Sequence, residues 1–408
     1  MSAYFIKAPS EISGEISLPT SKSISNRLLI LSALCGSGFT PDNLSDSDDT
    51  RVMLKALDSD MSRVDVGAAG TSMRFLTAFL ATRPGIHEIT GSERMKKRPI
   101  ALLVDALRML GAGIEYIGEP GFPPLRIKGG EISGGHVTLP GGVSSQYISA
   151  LMMIGPTLRG GLRLTLEGEV VSVPYINMTQ RLMELFGAEV ARTGGVIAIK
   201  EKPYDYRQTR VEADWSAASY WYAMAALRPG TELTLKGLDS VSTQGDAEVA
   251  NIAAPLGVET TYGDHGVVIK SMPEHVKEYS YCFVNQPDLA QTFVVLCCLM
   301  GVKFNFTGLR SLRIKETDRI AALVAETRKL GYEIEAVGDD CIRWDGKRCE
   351  PSHAPIATYK DHRMAMAFAP SALVTNGTAI SEPSVVSKSY PGFWSDLRSV
   401  GFTIEEIN

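Results

Sequence analysis

Polar and cationic side chains gather at six places along this chain, each at the start of an apolar stretch that favours a helix. The six clusters read TSKSISNR, AAGTSMR, SSQY, DWSAAS, QPDLAQ and KDHRMAM. A helix N-terminus presents unpaired backbone N–H groups and a positive dipole end, so it favours an anion. Each dipole end contributes only ~0.3–1 kcal/mol, so fixed cations must add the rest. The candidate cations are Lys22, Arg27, Arg74, Arg98, Lys315, Arg319, Arg363 and Lys388.

The string RIKETDR adds a second indication of anion binding. It places Lys315 and Arg319 four residues apart, so the two cations lie on one face of a helix. Such a like-charge pair lowers helix stability unless an anion sits between the two groups. We therefore expect a negatively charged ligand at this position.

Several other chemistries lack their sequence signatures. The chain has no GxxxxGK[ST], no GxGxxG after a strand, no HExxH, no CxxC and no GxSxG. Its six cysteines are scattered without the spacing of metal ligands. We therefore expect no metal and no cofactor, and we expect neither P-loop, zinc-protease nor nucleophile-elbow chemistry.

The polar clusters belong to a unit that the chain repeats. Six segments share a short strand, a polar or Gly-rich turn, a nearly apolar helix and a Gly or Pro-Gly break. They begin near Glu15, Val64, His136, Val211, Tyr281 and Ile356. A helix that is apolar on most sides is a buried one. Each unit continues with an amphipathic helix, which in five of the six stops at a Gly. Alternating strands follow, so the pattern predicts β-α-β-α and then further strands.

The spacing of these units predicts two domains of three repeats each. The first repeat is shorter than the others, because no strand pair follows its second helix, DDTRVMLKALDSD. The N-terminal strand YFIKA is expected to complete the last repeat. We expect an N-terminal domain over residues 20–212 and a C-terminal domain over residues 1–19 and 213–408.

Composition limits the partners and the location. Among 408 residues, 41 Lys and Arg stand against 46 Asp and Glu, which gives a net charge of -5. Nucleic acids and anionic membranes require a basic excess, so we expect neither as a general partner. The longest apolar run, residues 293–302, is about half as long as a membrane-spanning helix. The N-terminus lacks the apolar stretch of a secretory signal, so we expect a cytoplasmic protein.

Eight strings of this chain resemble those of the 5-enolpyruvylshikimate-3-phosphate synthase family. They are LPTSKSISNR, GTSMRFL, RMKKRPI, VSSQYISALM, VSVPYI, LRIKETDRI, YKDHRMAMAF and SYPGFW, in order between residues 14 and 394. The resemblance implies an α/β (α+β) fold, a two-domain inside-out α/β barrel of six βαβαββ-type repeats, three per domain, with the first repeat shortened. It also implies a transferase of chorismate and aromatic amino acid biosynthesis. Such an enzyme moves the enolpyruvyl group of phosphoenolpyruvate to the 5-hydroxyl of shikimate 3-phosphate through a tetrahedral intermediate and releases phosphate.

The resemblance also implies roles for individual residues. The catalytic groups would be Lys22, Asp288 and Glu316, with Asp288 as the base and Lys22 or Glu316 as the acid. Shikimate 3-phosphate would contact Lys22, Ser23, Arg27, Ser144, Ser145, Gln146, Ser172, Tyr175, Asp288, Ser311 and Lys315. Phosphoenolpyruvate would contact Lys22, Gly70, Arg98, Gln146, Arg319, Arg363 and Lys388. These residue types fit the chemistry, because a compact trianion needs several cations and addition of an alcohol needs both an acid and a base.

Two positions depart from the family pattern. Ala68 stands where an Asn usually lies two residues before the Gly of AGT, and Ser311 stands where an Asn usually precedes KETDR by four residues. Each change removes one side-chain contact that the resemblance implies. We still expect a monomeric enzyme that glyphosate inhibits, since glyphosate competes with phosphoenolpyruvate in this family.

Two alternative functions remain open. A sister enzyme of the same fold transfers enolpyruvate to UDP-N-acetylglucosamine, but it uses a loop cysteine as acid and a Lys-Asn turn, and this chain shows neither. A non-catalytic homologue that binds a phosphometabolite would be indicated by loss of charge at Lys22, Asp288, Glu316 or Arg363. All four charges are present.

Overall fold

The computed structural model describes residues 2–36, 40–352 and 354–407, and the chain divides into two compact units. The first, called the N-terminal unit, comprises Ser21–Val211. The second, called the C-terminal unit, comprises Met1–Thr20 and Glu212–Asn408. The chain therefore starts in the C-terminal unit, leaves it after Thr20 and returns to it after Val211.

Helices begin where the polar clusters were found. In the N-terminal unit they are α1 (Lys22–Cys35), α2 (Asp48–Leu57), α3 (Gly70–Ala81), α4 (Ala101–Met109), α5 (Ser145–Ile154) and α6 (Val173–Leu185). In the C-terminal unit they are α7 (Trp215–Leu227), α8 (Val249–Ala253), α9 (Ala290–Met300), α10 (Arg319–Lys329), α11 (His362–Phe368) and α12 (Phe393–Ser399). None of the helices in the described part of the chain is long and apolar enough to cross a membrane.

The strands are short and are grouped by unit. The N-terminal unit has β3 (Arg63–Asp65), β4 (Gly85–Thr90), β5 (Gly113–Tyr116), β6 (Leu125–Gly129), β7 (Ser133–Pro140), β8 (Arg159–Glu167), β9 (Val190–Thr193) and β10 (Val196–Ile199). The C-terminal unit has β1 (Ala3–Lys7), β2 (Ser13–Ser17), β11 (Glu232–Lys236), β12 (Val258–Gly263), β13 (Gly266–Ser271), β14 (Glu278–Cys282), β15 (Lys303–Thr307), β16 (Glu335–Val337), β17 (Cys341–Trp344), β18 (Thr378–Ser381) and β19 (Thr403–Ile407).

The sheets confirm the predicted βαβαββ repeat. Three sheets share one order, β3-β4-β6-β5, β7-β8-β10-β9 and β14-β15-β17-β16, in which the first two strands run parallel. A parallel pair needs a crossover connection, and α3, α5 and α9 supply it. The last two strands of each repeat close the sheet as an antiparallel pair.

A fourth sheet, β2-β11-β13-β12, has the same order but takes its first strand from elsewhere in the chain. The strand predicted near Val211 is wrong: among the described residues this segment forms two isolated bridges, between Arg210 and Asp42 and between Ala213 and Thr20. The place beside β11 is filled by β2, whose Ile16 is paired in parallel with Leu235. The segment cannot extend further as a strand, because Asp214 already caps the start of α7.

The remaining sheet is three-stranded, with order β18-β1-β19. Ala3 of the central strand β1 pairs with Ser381 on one side and with Ile407 on the other. The strand predicted near Ile356 is reduced to a single bridge to Ile380. The N-terminal strand therefore completes a sheet whose other strands lie at the far end of the sequence.

Each unit has its own hydrophobic core around three buried helices. These are α1, α3 and α5 in the N-terminal unit and α7, α9 and α11 in the C-terminal unit. Each fully buried Leu, Ile, Val, Phe or Met side chain stabilises the fold by about 1.5–3 kcal/mol, which explains why these helices are nearly apolar beyond their first turns. The first repeat is shortened as predicted, since the described residues between α2 and β3 contain no strand.

Candidate functional site

The start of α1 holds the first candidate cation. Ser21 caps the helix, with its Oγ accepting a hydrogen bond from the backbone N of Ile24 at 3.5 Å. The Nζ of Lys22, in the first turn, lies 3.6 Å from Oδ2 of Asp49, which belongs to the first turn of α2. This ion pair orients Lys22 before any substrate is present. Sequence reasoning missed Asp49, although its place at a helix start was a usable signal.

Arg27 lies one turn further along α1 and is almost fully buried. Its guanidinium donates to Oγ1 of Thr179 at 2.7 Å, to Oγ of Ser149 at 3.2 Å, and to the carbonyls of Ser23 at 2.9 Å and Tyr175 at 3.4 Å. Burial lowers the pKa of Arg27 to about 10, so it stays charged at neutral pH. Arg27 therefore links α1, α5 and α6 by hydrogen bonds. Only part of its guanidinium N–H groups remains for a ligand.

The start of α3 forms an uncapped helix end covered by a guanidinium. Ala69, the residue before Gly70, provides no side-chain cap. A Cβ placed on Gly70 would lie 2.5 Å from Nη1 of Arg98, so only glycine admits this approach. Arg98 is buried, and its Nε has no hydrogen-bond partner in the described structure. An open helix N-terminus with an arginine over it is an anion-binding arrangement.

Arg74, one turn along α3, has a different role from the one its sequence position suggested. It donates to the carbonyl of Gly70 at 3.1 Å and to the carbonyl of Pro99 at 3.0 Å. Pro99 follows Arg98 directly, so Arg74 fixes the backbone on both sides of the Gly70–Arg98 contact. We interpret it as a support for this anion site rather than as a ligand in it.

The SSQ and SVPY motifs occupy the starts of α5 and α6. Ser144 caps α5 by accepting a hydrogen bond from the backbone N of Gln146 at 3.4 Å. Gln146 donates from Nε2 to Oγ1 of Thr71 at 3.2 Å, which links this motif to the start of α3. Ser145 and Ser172 are both buried, and Ser172 has the left-handed φ of 54°. The N-terminal unit thus presents hydroxyls, an amide and cations at neighbouring helix starts.

In the C-terminal unit, the carboxylate of Asp288 pairs with three cations. Its Oδ1 accepts from Nη1 of Arg319 at 3.1 Å and from Nζ of Lys315 at 3.5 Å. Its Oδ2 accepts from Nη2 of Arg363 at 2.9 Å. The side chain of Asp288 remains 19% exposed, so a substrate group can reach it.

Arg319 binds two more carboxylates. Its Nη2 donates to Oε2 of Glu316 at 3.0 Å, and its Nε donates to Oδ2 of Asp361 at 2.7 Å. Burial alone would lower the pKa of Arg319, but Asp361, Glu316 and Asp288 together raise it above its ordinary value. We call this set the Asp288 cluster: Asp288, Lys315, Glu316, Arg319, Asp361 and Arg363.

The Asp288 cluster corrects one sequence-based interpretation. The anion between Lys315 and Arg319 was expected to be a ligand, but the structure puts Oδ1 of Asp288 there. The like-charge pair is therefore offset within the protein and is not by itself a sign of a ligand. Burial lowers the pKa of Lys315, and the Asp288 carboxylate opposes that shift.

Asp361 is a residue that sequence reasoning missed. It caps α11, with Oδ1 accepting from the backbone N of Arg363 at 2.9 Å, and it is completely buried. The two residues before it, Tyr359 and Lys360, have left-handed φ values of 54° and 57°. Such a strained turn persists only where its surroundings hold it. Glu326 supplies that support by accepting from the Tyr359 hydroxyl at 2.7 Å.

Two further predicted residues, Ser311 and Lys388, lie in 3-10 helices of the C-terminal unit. Ser311 belongs to a 3-10 helix, Arg310–Ile314, and Lys388 ends another, Pro383–Lys388. Both are partly buried. Among the described residues, no three His, Cys, Asp or Glu side chains form a group that could hold a metal ion. The predicted site residues include cations, hydroxyls and the partly exposed carboxylates of Asp288 and Glu316.

Comparisons with known proteins agree on one family. The family model of EPSP synthase (3-phosphoshikimate 1-carboxyvinyltransferase) matches residues 6–61 and 57–397. A 3-phosphoshikimate 1-carboxyvinyltransferase of Bacteroides fragilis is 55% identical over 404 residues, covering 98% of this chain and 98% of that protein. One of Vibrio cholerae serotype O1 is 37% identical over 418 residues, covering 95% and 97%.

A solved structure shows the same fold. The EPSP synthase of Acinetobacter baumannii matches with a TM-score of 0.79 at 22% identity, covering 100% of both chains.

Proposed function

This chain belongs to the EPSP synthase family, and we propose that it carries out the reaction of that family with the residues described above. It is a transferase of the shikimate pathway, which leads to chorismate and the aromatic amino acids. It moves the enolpyruvyl group of phosphoenolpyruvate to the 5-hydroxyl of shikimate 3-phosphate and releases phosphate. The observation that carries the residue assignment is Asp288, an accessible carboxylate held by three cations.

Shikimate 3-phosphate is assigned mainly to the helix starts of the N-terminal unit. Hydroxyls and an amide at these starts suit a phosphate monoester and a polyhydroxylated ring. The hydrogen bond from Gln146 to Thr71 of the AGT motif supports the assignment of Gln146 to both substrates, since Gly70 of that motif is assigned to phosphoenolpyruvate. The residues proposed for this substrate are Lys22, Ser23, Arg27, Ser144, Ser145, Gln146, Ser172, Tyr175, Asp288, Ser311 and Lys315.

Phosphoenolpyruvate is assigned to the cations and to the open start of α3. The close approach of Arg98 to Gly70 supports this, because it directs a guanidinium and free backbone N–H groups to one place. In the C-terminal unit, Arg319 and Arg363 are forked donors that match carboxylate and phosphate oxygens. The residues proposed for this substrate are Lys22, Gly70, Arg98, Gln146, Arg319, Arg363 and Lys388.

Asp288 is proposed as the base. Its carboxylate pairs with Lys315, Arg319 and Arg363. An arriving trianion competes for Arg319 and Arg363, and this competition leaves Asp288 freer to accept the proton of the acceptor hydroxyl. Substrate binding and activation of the base are then one event.

The remaining steps follow from the chemistry of an enol phosphate that becomes an enol ether. The deprotonated oxygen bonds to C2 of phosphoenolpyruvate while C3 takes a proton from Lys22 or Glu316, which gives a tetrahedral intermediate. Loss of a proton from C3 then re-forms the double bond, and the C2–O bond to phosphate breaks. Glu316 is oriented for this part by its 3.0 Å hydrogen bond from Arg319.

The two alternative functions have less support. The curated relatives carry the name of the shikimate enzyme and not of a UDP-sugar transferase. A binding protein without catalysis has no need of Asp288 and Glu316 beside the same arginine. A cytoplasmic location, a monomeric state and inhibition by glyphosate stay predictions.

Phosphate release from the two substrates tests the proposed function. The chain is incubated with shikimate 3-phosphate and phosphoenolpyruvate, with each substrate omitted in turn, in the presence of EDTA. Release that requires both substrates and persists with EDTA supports the proposal. Release from phosphoenolpyruvate alone, or none at all, contradicts it.

A further inference from the structure

Another buried carboxyl, Asp246, interacts electrostatically with Asp288 and Arg363 of the Asp288 cluster and has no part in the reaction as described so far. It belongs to the 3-10 helix Gly245–Glu248, which is firmly held in place. Gln244 accepts a hydrogen bond from the backbone N of Trp215 at 3.2 Å and donates to the carbonyl of Ala213 at 2.7 Å. The position of Asp246 is therefore fixed by the fold rather than by its own side chain.

The surroundings of Asp246 leave one oxygen unpaired. Its side chain is buried, and Oδ2 accepts a hydrogen bond from Oγ of Ser216 in the first turn of α7. Oδ1 is buried and has no hydrogen-bond partner among the described residues. An ionised carboxylate in this state is strongly disfavoured, whereas a protonated one is tolerated at lower cost.

Two neighbouring carboxylates also favour the protonated form of Asp246. Burial, the carboxylate of Asp288 and that of Asp214 raise the pKa of Asp246 to about 7, while the Ser216 hydrogen bond and Arg363 oppose the rise. The segments that carry Asp246 and Asp288 are also linked by a hydrogen bond, in which Gln286 donates from Nε2 to the carbonyl of Gly245 at 3.4 Å.

Tyr281 also faces this region from β14. Burial raises its pKa to about 12, with Glu248, Cys282 and Asp246 adding to the rise, so Tyr281 stays neutral throughout the working pH range.

The charge balance of the Asp288 cluster shows why the proton of Asp246 matters. Three cations, Lys315, Arg319 and Arg363, balance three carboxylates, Asp288, Glu316 and Asp361. A protonated Asp246 leaves that balance unchanged. An ionised Asp246 adds one negative charge beside the arginines that are proposed to bind an anionic substrate.

We propose that Asp246 is a positioning residue that acts in its protonated form, keeping Arg363 and its neighbours available to phosphoenolpyruvate, and that loss of its proton weakens substrate binding. The inference rests on the proposed function. It adds a titrating group that touches neither substrate and that controls affinity through the cations beside it.

The test is the KM for phosphoenolpyruvate from about pH 6 to about pH 9, in wild type and Asp246→Asn. Wild-type KM should rise above about pH 7, by at most about tenfold per pH unit, while the variant, which cannot ionise, should show a flatter profile. Phosphoenolpyruvate changes its own protonation near neutral pH, but this affects both proteins equally. Equal profiles, or an active wild type whose KM does not rise, would overturn the proposal.

Ser216→Ala gives a second, independent variant in case Asp246→Asn fails to fold. The variant loses the hydrogen bond from Ser216 to Asp246, which favours the ionised form of Asp246. The rise in KM for phosphoenolpyruvate should therefore move to higher pH. A midpoint of the KM rise at the same pH as in wild type would count against the proposal.

A wild-type chain without turnover would instead contradict the proposed function. In that case, calorimetric binding of inorganic phosphate across the same pH range still tests Asp246, with a loss of affinity expected above about pH 7 only when Asp246 can ionise.

Discussion

Replacing Gly70 with alanine should weaken phosphoenolpyruvate binding through Arg98. The added Cβ would lie 2.5 Å from Nη1 and 2.9 Å from Cζ of Arg98, whereas real Cβ contacts essentially never fall below 3.0 Å. The guanidinium must therefore shift by about 0.5 Å or more. It can do so at little cost to stability, because it is the far end of a flexible side chain.

The size of the effect follows from the interaction that is lost. A charge-assisted hydrogen bond contributes about 1.5–3 kcal/mol, and at about 1.4 kcal/mol per tenfold this is a rise of roughly 10- to 150-fold in KM. The assay is steady-state phosphate release with one substrate varied at a time. The KM for phosphoenolpyruvate should rise, while the KM for shikimate 3-phosphate should change little.

Gly118→Ala is the matched control, because a Cβ there meets only Pro124 Cδ, at an ordinary 3.5 Å. The double variant Gly70→Ala with Arg98→Lys tests whether the added methyl group raises KM by displacing Arg98. If Gly70→Ala acts through Arg98, the two changes should be less than additive. Fully additive effects, or equal rises in both KM values, would refute this reasoning.

Three further predictions concern the groups around the Asp288 cluster. Glu326→Gln weakens the support of the strained turn at Tyr359 and should lower the free energy of unfolding by about 1–3 kcal/mol in urea titrations. Glu333→Gln, at a surface ion pair, should have a smaller effect, and equal effects would contradict the assignment. Arg319→Lys replaces a fork that pairs with three carboxylates by a single ammonium, and kcat/KM should fall by more than about tenfold while the unfolding midpoint confirms a folded chain. Because folding raises the pKa of Asp246 from its ordinary 3.8 to about 7, its contribution to stability is fully present below the lower value and is lost progressively as pH rises to about 7. Stability measured against pH should therefore decline less in Asp246→Asn than in wild type, and parallel curves would contradict this.

The repeat and the helix starts could be predicted because they depend on local sequence. The period of apolar residues marks a buried helix, and a polar cluster before it marks the helix start. Lys22 at the start of α1 and Arg363 at the start of α11 follow from this directly. Gly after an amphipathic helix likewise marked its end, as Gly187 and Gly331, with φ of 84° and 90°, confirm.

The rest depends on contacts between distant parts of the chain. Nothing in the local sequence shows that β2, rather than the segment near Val211, lies beside β11. The two segments have similar sequence patterns, and only the pairing of strands decides between them. The ion pairs of Asp288 with Lys315 and Arg363 join residues far apart in sequence. The sequence therefore could not show that the anion beside Lys315 is a carboxylate of the protein itself. The burial of Asp246 was hidden for the same reason, because QGDAE reads as a polar loop.

The role of Asp288 is tested most directly by comparing binding with turnover in Asp288→Asn. The amide keeps the size of the side chain but cannot accept the proton, and a general base contributes typically about 10²–10⁴-fold to rate. Products of a quenched single turnover are followed by ³¹P NMR, and phosphoenolpyruvate binding is followed by calorimetry in the presence of shikimate 3-phosphate. We expect turnover to slow by about 10²–10⁴-fold, with binding as tight as in wild type or tighter, because the variant removes the negative charge that competes with phosphoenolpyruvate for Arg319 and Arg363. Turnover within a few-fold of wild type would contradict Asp288 as the base.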